Sequence, residues 1–303
     1  MKTQRKRAER ALIVRNPQAA ERALKRCQKA LDAVTFDKAV ERAKHAAKLR
    51  ELRFAANAPI RNLVQQDKKA LRALAEASEA RKVALAALGG RSLNLYSQTF
   101  GPFPSWSLDL TPGLHVFSPP YDLDRPGPTN GSPTDSKADR DTGDFFANCG
   151  FDSNAHGFRA ASASVIIIFQ PSVIGTLSVR PYTKYAQSWE VDGEYLSAHS
   201  EGHLTISAAR DDNGQVLDSR DITLFNQTTE SDDNSGDDDG VAWPPDFQVN
   251  FLAQPGINYL VALTASVSGD QSGVKGVGPF PSWSMFSGCI SASVPWLVAE
   301  LRP

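Results

Sequence analysis

Cysteine is scarce in this chain. Cys27, Cys149 and Cys289 are the only three among 303 residues, too few for a disulfide framework. Cys149 and Cys289 could pair within the second half; buried free thiols are the other reading. Long apolar runs are missing too. No stretch approaches the roughly 20 residues of a membrane span. The run behind the basic start, Ala11-Leu12-Ile13-Val14, is too short for the core of a signal peptide. The expectation is therefore synthesis in the cytoplasm, with assembly into or export as a particle. Catalytic signatures are absent as well: there is no phosphate-binding loop, no dinucleotide fingerprint and no G-x-S-x-G elbow. Paired carboxylates for glycoside hydrolysis come from separate strands and leave no local spacing. The sequence thus predicts a non-enzymatic protein.

Charge of one sign is scarce in each half. Residues 1–90 carry 22 Lys+Arg against 9 Asp+Glu, while residues 91–303 carry 11 against 25. A net charge of −1 thus hides balances of +13 and −14, and such asymmetry means that the two halves meet different partners.

The basic half is alanine-rich and helix-patterned. Leu24, Cys27, Leu31 and Val34 alternate at spacings of three and four, the seam of a helix packed on another helix, and Asn16-Pro17 supplies its start. A second stretch carries Phe36, Val40, Ala43 and Ala47 on one face until Pro59. A third seam includes Leu71, Leu74, Leu85 and Leu88, and Gly89-Gly90 ends it. These narrow seams predict a helical hairpin or coiled-coil-like bundle that leans on itself, on the second half or on other copies of the chain. The positive charge fits an acidic protein surface, including the acidic half of a neighbouring copy. Nucleic acid is the weaker alternative, since Phe36 and Phe54 are the only aromatic residues here and no nucleic-acid motif occurs.

From Ser92 onward the period becomes two, with turn residues at regular intervals. Leu204, Ile206 and Ala208 alternate with polar neighbours, and Asp211-Asp212-Asn213-Gly214 offers a tight hairpin before Val216. Phe247, Val249 and Phe251 alternate likewise, as do Tyr259 to Val267 and the set Ile290, Ala292, Val294, Trp296 and Val298. Val165-Ile166-Ile167-Ile168-Phe169 is apolar throughout and predicts a strand covered on both faces. Ser92–Phe100, Leu114–Phe117 and Thr176–Arg180 complete about eight or nine strands. The predicted fold is segregated α+β: a basic helical segment over 1–90, then an antiparallel β-sandwich of jelly-roll type over 91–303.

Four features invite a chemical reading. Asp232, Asp233, Asn234, Asp237, Asp238 and Asp239 gather oxygen ligands in a glycine-containing segment, which suits calcium, the one cofactor the sequence points to, although the spacing is not that of an EF-hand. Solvated acidic loops are the ordinary alternative. The 24 residues from Tyr121 to Asp144, rich in proline, glycine and aspartate, read as a long loop. Tyr182, Tyr185, Trp189, Glu190 and Tyr195 combine flat rings with an acceptor, the chemistry of a glycan site, unless they are ordinary core aromatics. His199 and His203 flank Ser200 and Glu201, but on a strand the two imidazoles stand roughly 13 Å apart, too far to share zinc.

A repeat, Gly101-Pro102-Phe103-Pro104-Ser105-Trp106-Ser107 and Gly278-Pro279-Phe280-Pro281-Ser282-Trp283-Ser284, reads as a loop entering a strand, with its tryptophans either in the core or exposed to a partner. These expectations describe a structural or assembly protein whose helices mediate oligomerisation or docking and whose sandwich is displayed outward, as in a surface assembly or a virus-like particle. A lectin-like module, calcium-assisted or not, is the alternative. A membrane-active toxin component is the third, disfavoured by the charge on the helices.

Overall fold

The computed structural model describes residues 17–56, 109–130, 134–153, 157–194, 198–229, 234–271 and 283–303. The basic half contributes helix α1 (Pro17–Asp32), a π-helical turn (Ala33–Asp37) and helix α2 (Lys38–Ala56), continuous with one another. Among the described residues no helix is long and apolar enough to cross a membrane. Pro17 occupies the first helical position, where its missing N–H is no loss. The innermost side chains are Ala23, Cys27, Leu31, Thr35, Ala39 and Ala43, none more than 8% exposed.

These six fall four residues apart. A helix of 3.6 residues per turn lets such a repeat drift around its axis, and the wider π turn returns part of that rotation. The start of the second seam is thereby shifted by one residue from expectation: Thr35 and Ala39 are buried while Phe36 and Val40 are only half-buried, whereas Ala43 is buried as expected. Thr35 keeps its hydroxyl satisfied by donating to the Leu31 carbonyl at 3.0 Å.

The acidic half is a two-sheet sandwich, with thirteen strands among the described residues. They are β1 (Asp109–Leu110), β2 (Gly113–Phe117), β3 (Leu123–Asn130), β4 (Thr134–Asp139), β5 (Asp144–Ser153), β6 (Gly157–Pro171) and β7 (Gly175–Glu194). After them come β8 (Ala198–Arg210), β9 (Val216–Thr229), β10 (Asn234–Ala242), β11 (Val249–Ala253), β12 (Tyr259–Gln271) and β13 (Trp283–Arg302). The first sheet runs β1-β6-β12-β8-β9, with β3 also on β6; the second runs β10-β7-β13-β5-β4, with β11 on β7 and β2 on β13. Every pairing is antiparallel except the short contact of β1 with β6. The sandwich stands as expected, whereas its jelly-roll connectivity is not established.

Strand β6 shows how the layers meet. Val165, Ile167 and Phe169 point between the sheets into the main core. Ile166 and Ile168 point the other way, into a second cluster with Cys27 and Leu31 of α1, Ala209 of β8, and Leu260 and Ala262 of β12. Leu24 packs against the same cluster. The seam of α1 therefore faces its own sandwich rather than another helix, which corrects the coiled-coil reading of Leu24 and Leu31. Leu71, Leu74, Leu85 and Leu88 lie outside the described residues.

Polar contacts reinforce this docking. Cys27 Sγ donates to the Arg210 carbonyl at 2.6 Å, Arg26 donates to the Asp212 carbonyl at 2.8 Å, and Arg125 of β3 pairs with Asp32 at 2.8 Å. The hairpin between β8 and β9 closes on Gly214, whose φ of +73° is the left-handed conformation expected there.

Two segments read as loops are strands. Tyr121 to Asp144 contains β3 and β4. Its prolines fit because β3 lies on an edge and its register slips between Pro126 and Thr129. The aspartate-rich segment likewise contains β10, an edge strand paired with β7, where charge discourages further pairing. The second GPFPSWS copy enters β13 with Trp283 and the buried Ser284; the other residues of both copies and Ser92–Phe100 lie outside the described residues.

Ile168 sits on the outer side of its sheet, yet it is 1% exposed. Ile168→Ala should therefore cost about 2–5 kcal/mol in urea unfolding, the loss of a core residue. A loss under about 0.5 kcal/mol, typical of a surface position, would mean that the helix does not cover it.

Candidate functional site

The outer face of the second sheet has no helix on it among the described residues, and it gathers aromatic rings. Tyr182 of β7 and Trp296 of β13 are directly opposite in register, and their rings stack with centroids 5.0 Å apart and planes 4° apart. Trp243, just beyond β10, meets both edge-on, at 5.5 Å from Tyr182 and 4.9 Å from Trp296. Rings in these arrangements attract through their quadrupoles as well as their buried area.

Around the triad, the same face carries further exposed apolar side chains. Of the large hydrophobic residues exposed among those described, Leu114, Val241, Trp243 and Leu252 all lie here; Leu52 and Ile174 are elsewhere. Polar groups intersperse them: Arg180 of β7 forms an ion pair with Glu300 of β13, and Glu300 also receives Arg302 at 2.7 Å.

This face divides the expected glycan set. Tyr182 points outward, whereas Tyr185 and Trp189 pack against the main core from the inner side of β7. Their rings cross β10 at Gly240 and Gly236, where a Cβ would lie 2.5 Å from the Tyr185 hydroxyl oxygen and from Trp189 Cζ2, respectively. Glu190 shares the outer side with Tyr182 and is half-buried. Tyr195 lies outside the described residues.

Trp296 escaped the sequence reading for a specific reason. It was grouped with Ile290, Ala292 and Val294 as inward-facing, but the register slips between Ser293 and Trp296. Leu297, Ala299 and Leu301 then take the inner positions, and Trp296 turns outward. Pro295, inside the strand, was the available signal of that bulge.

The calcium set is rearranged as well. Asp237, Asp238 and Asp239 are consecutive on β10, so successive carboxylates alternate between faces. Asn234 begins the strand, and Asp232 and Asp233 lie outside the described residues. Among the described residues no group of three or more His, Cys, Asp or Glu side chains is placed to hold a metal ion.

A second concentration of chemistry lies on the outer face of the first sheet, under the helix. Here the floor changes from apolar to polar along the strands: beyond Leu260 and Ala262, β12 presents Thr264, Ser266, Ser268 and Asp270, all buried. Beside them on β8 stand Thr205, His203, Glu201 and His199, also buried. Helix α2 crosses β12 and β6 and sends Arg42 down, its Nε 2.6 Å from Glu201 Oε1. His203 Nε2 bonds that same oxygen, while His203 Nδ1 lies 2.6 Å from Asp221 Oδ2. Thr205 donates to the other Asp221 oxygen at 2.7 Å. His199 Nε2 lies 2.9 Å from Asn226 Oδ1, and His199 Nδ1 lies 3.3 Å from Asp270.

Burial favours the neutral form of Glu201, Asp221 and His203, but their partners outweigh it. Burial raises the Glu201 carboxyl, yet His203, Arg42 and His199 hold it below its ordinary value. Asp221 is likewise held low by His203, Thr205 and Arg42 against burial. Burial lowers the His203 imidazole, yet Asp221 and Glu201 raise it above its ordinary value. A carboxylate on each ring nitrogen makes His203 an anchored cation rather than a base with a lone pair to offer. Ser200 donates to the Ser287 carbonyl across the sandwich at 2.9 Å. It therefore faces into the sandwich, away from His199.

No protein-family model matches the chain, and no curated protein matches it. Solved structures give distant likenesses only. The Arthrobacter globiformis T6 isomalto-dextranase complexed with panose is 15% identical with a TM-score of 0.20, over 59% of this chain and 23% of that one. The carbohydrate-binding module TmCBM61 in complex with β-1,4-galactotriose is 7% identical with a TM-score of 0.19, over 56% of this chain and 86% of that one. Infectious bursal disease virus, Gx strain, gives 11% identity and a TM-score of 0.18, over 70% of this chain and 47% of that one. Likeness at this level carries no argument about ligand or assembly.

The triad can be tested for itself. A double-mutant cycle on Tyr182→Ala and Trp296→Ala should give a coupling of about 0.5–1.5 kcal/mol, the range of a stacked aromatic pair. Strict additivity would mean that the rings do not interact.

Proposed function

We propose that this chain is a non-enzymatic structural or assembly protein whose helical segment seals one face of its sandwich and whose opposite face docks repeated copies into a surface or particle assembly. The collection of Leu114, Val241, Trp243 and Leu252 on one sheet face around the Tyr182–Trp296 stack carries this reading. Exposed apolar side chains gathered on one face mark interaction surfaces on folded proteins. Docking moves accordingly from the helical seam, where Leu24 and Leu31 serve the chain's own sandwich, to the open sheet. Arg42 and Arg26 meet acidic-half partners within the same chain, a use of charge complementarity that needs no neighbour.

A carbohydrate-binding module is the second reading, and the triad favours it. An exposed indole face can cover the apolar face of a pyranose, while Arg180 and Glu300 stand on the same sheet face to meet hydroxyls.

Light scattering on the full chain at rising concentration separates the two. Assembly predicts a defined oligomer or larger particle that the double substitution Leu114→Lys and Leu252→Lys dissociates. A monomer at every concentration ends that reading. Glycan binding predicts retention on an immobilised polysaccharide panel that Trp243→Ala abolishes while the circular dichroism spectrum is unchanged.

A further inference from the structure

We propose that Arg42, Glu201, His203 and Asp221 form a protonation-operated latch, and that protonating its two carboxyls lifts helix α2 from the sandwich while α1 and both sheets stay in place. The inference is independent of the proposed docking face.

The geometry sets the latch at one atom. Glu201 Oε1 accepts from His203 Nε2 of its own strand and faces Arg42 Nε of the helix as an ion pair at 2.6 Å. A single carboxylate oxygen thus separates two cations, and its charge holds them together. When the carboxyl takes up a proton, Arg42 and His203 remain as like charges across a neutral group. Arg42, at 39% side-chain exposure, has a path to water, whereas His203 at 6% does not, so relief comes by moving the helix. The other groups facing this centre are His199 on β8, Asp221, Thr223 and Asn226 on β9, and Asp270 on β12.

The rest of the helix–sheet contact decides which part moves. Under α1 the contact is apolar, through Cys27, Leu31, Ile166, Ile168 and Leu260; burial holds the Asp32 carboxyl above its ordinary value, so its ion pair to Arg125 is given up before the latch and the apolar contact alone keeps α1 in acid. Under α2 the buried helix side chains among the described residues are Ala39 and Ala43, while the sheet presents Ser162, Thr264, Ser266 and Ser268. Alanine methyls on hydroxyls bury little apolar area. Besides Arg42, α2 has Lys44 placed 5.7 Å over the Phe158 ring, a weak contact at an exposed position. The π turn between α1 and α2 is the natural place to bend.

The pH window follows from the direction of each shift. Glu201 and Asp221 titrate below their ordinary values, so their contribution is complete above about pH 5 and is lost as pH falls below about 4. His203 titrates above its ordinary value, so its contribution is complete below about pH 6 and fades as pH rises past about 7. Loss of the His203 proton leaves Arg42 on Glu201, and the helix stays. The latch opens only on the acid side.

Hydrogen exchange of the full chain, read by peptide mass spectrometry and corrected for intrinsic rates, tests this between pH 6 and pH 3. Below about pH 4 the amides of α2 should lose protection by about tenfold per pH unit for each proton taken up, since most of a helix's stability in a protein comes from its packing against the rest of the fold. Peptides of α1, β6 and β12 should keep theirs. Glu201→Gln should show the open α2 already at pH 6. Arg42→Met, a change on the helix that leaves the sandwich core untouched, should remove the acid limb. The proposal falls if α2 and α1 exchange in step, if α2 stays protected to pH 3, or if Arg42→Met keeps the wild-type acid limb.

Discussion

The first sheet is buried on both faces, and this constraint organises the molecule. Strand β6 cannot present Val165, Ile167 and Phe169 to the opposing sheet without presenting Ile166 and Ile168 on its other side, because successive side chains alternate. Left in water, that second row would make the sheet an adhesive surface. The α1 seam of Ala23, Cys27 and Leu31 covers it, at about 25 cal/mol per Å² of apolar area removed from water, and the thiol of Cys27 is buried well enough to be pushed up to about 12.

Beyond Ala262 the floor beneath the helix turns to serine and threonine, and the helix answers with alanine. Such a contact allows close approach but specifies position poorly, since small residues slide over one another at little cost. The Arg42–Glu201–His203–Asp221 chain supplies the missing register. Buried ion pairs are weak sources of net stability, but breaking one partner leaves an uncompensated charge and costs about 3–5 kcal/mol. The same physics that fixes α2 at neutral pH therefore makes its position depend on protonation.

With the helix committed to the first sheet, no helix among the described residues covers the outer side of the second sheet. The Tyr182–Trp296–Trp243 cluster and its aliphatic neighbours are then a consequence of where the helix is not. Inside this sheet the long strands β7 and β13 form the spine, and the bulge at Pro295 exchanges the faces of β13, sending Trp296 out and Leu297 in. One irregular peptide thus decides whether an indole belongs to the core or to the surface.

Much of this was legible in the sequence. The change from a helical to an alternating period separated helix from sheet, with the expected boundary near Ser92 lying outside the described residues; the unbroken apolar run at Val165–Phe169 announced a strand covered twice, and Asp211 to Gly214 announced its hairpin. These signals are local: side-chain period and turn chemistry are properties of consecutive residues. The misreadings were local as well, since the prolines of β3 and the aspartates of β10 resemble loop composition and are tolerated only because both strands are edges. What the tertiary structure alone decided was pairing across distance. That Leu31 meets Ile168 rather than another helix, that Tyr182 meets Trp296 rather than Trp189, and that Arg42 shares one oxygen of Glu201 with His203 all depend on strand register and on a π turn in the helix. Neither leaves a periodic trace in the sequence, because each is set by contacts between different elements of the fold rather than between neighbours along one of them.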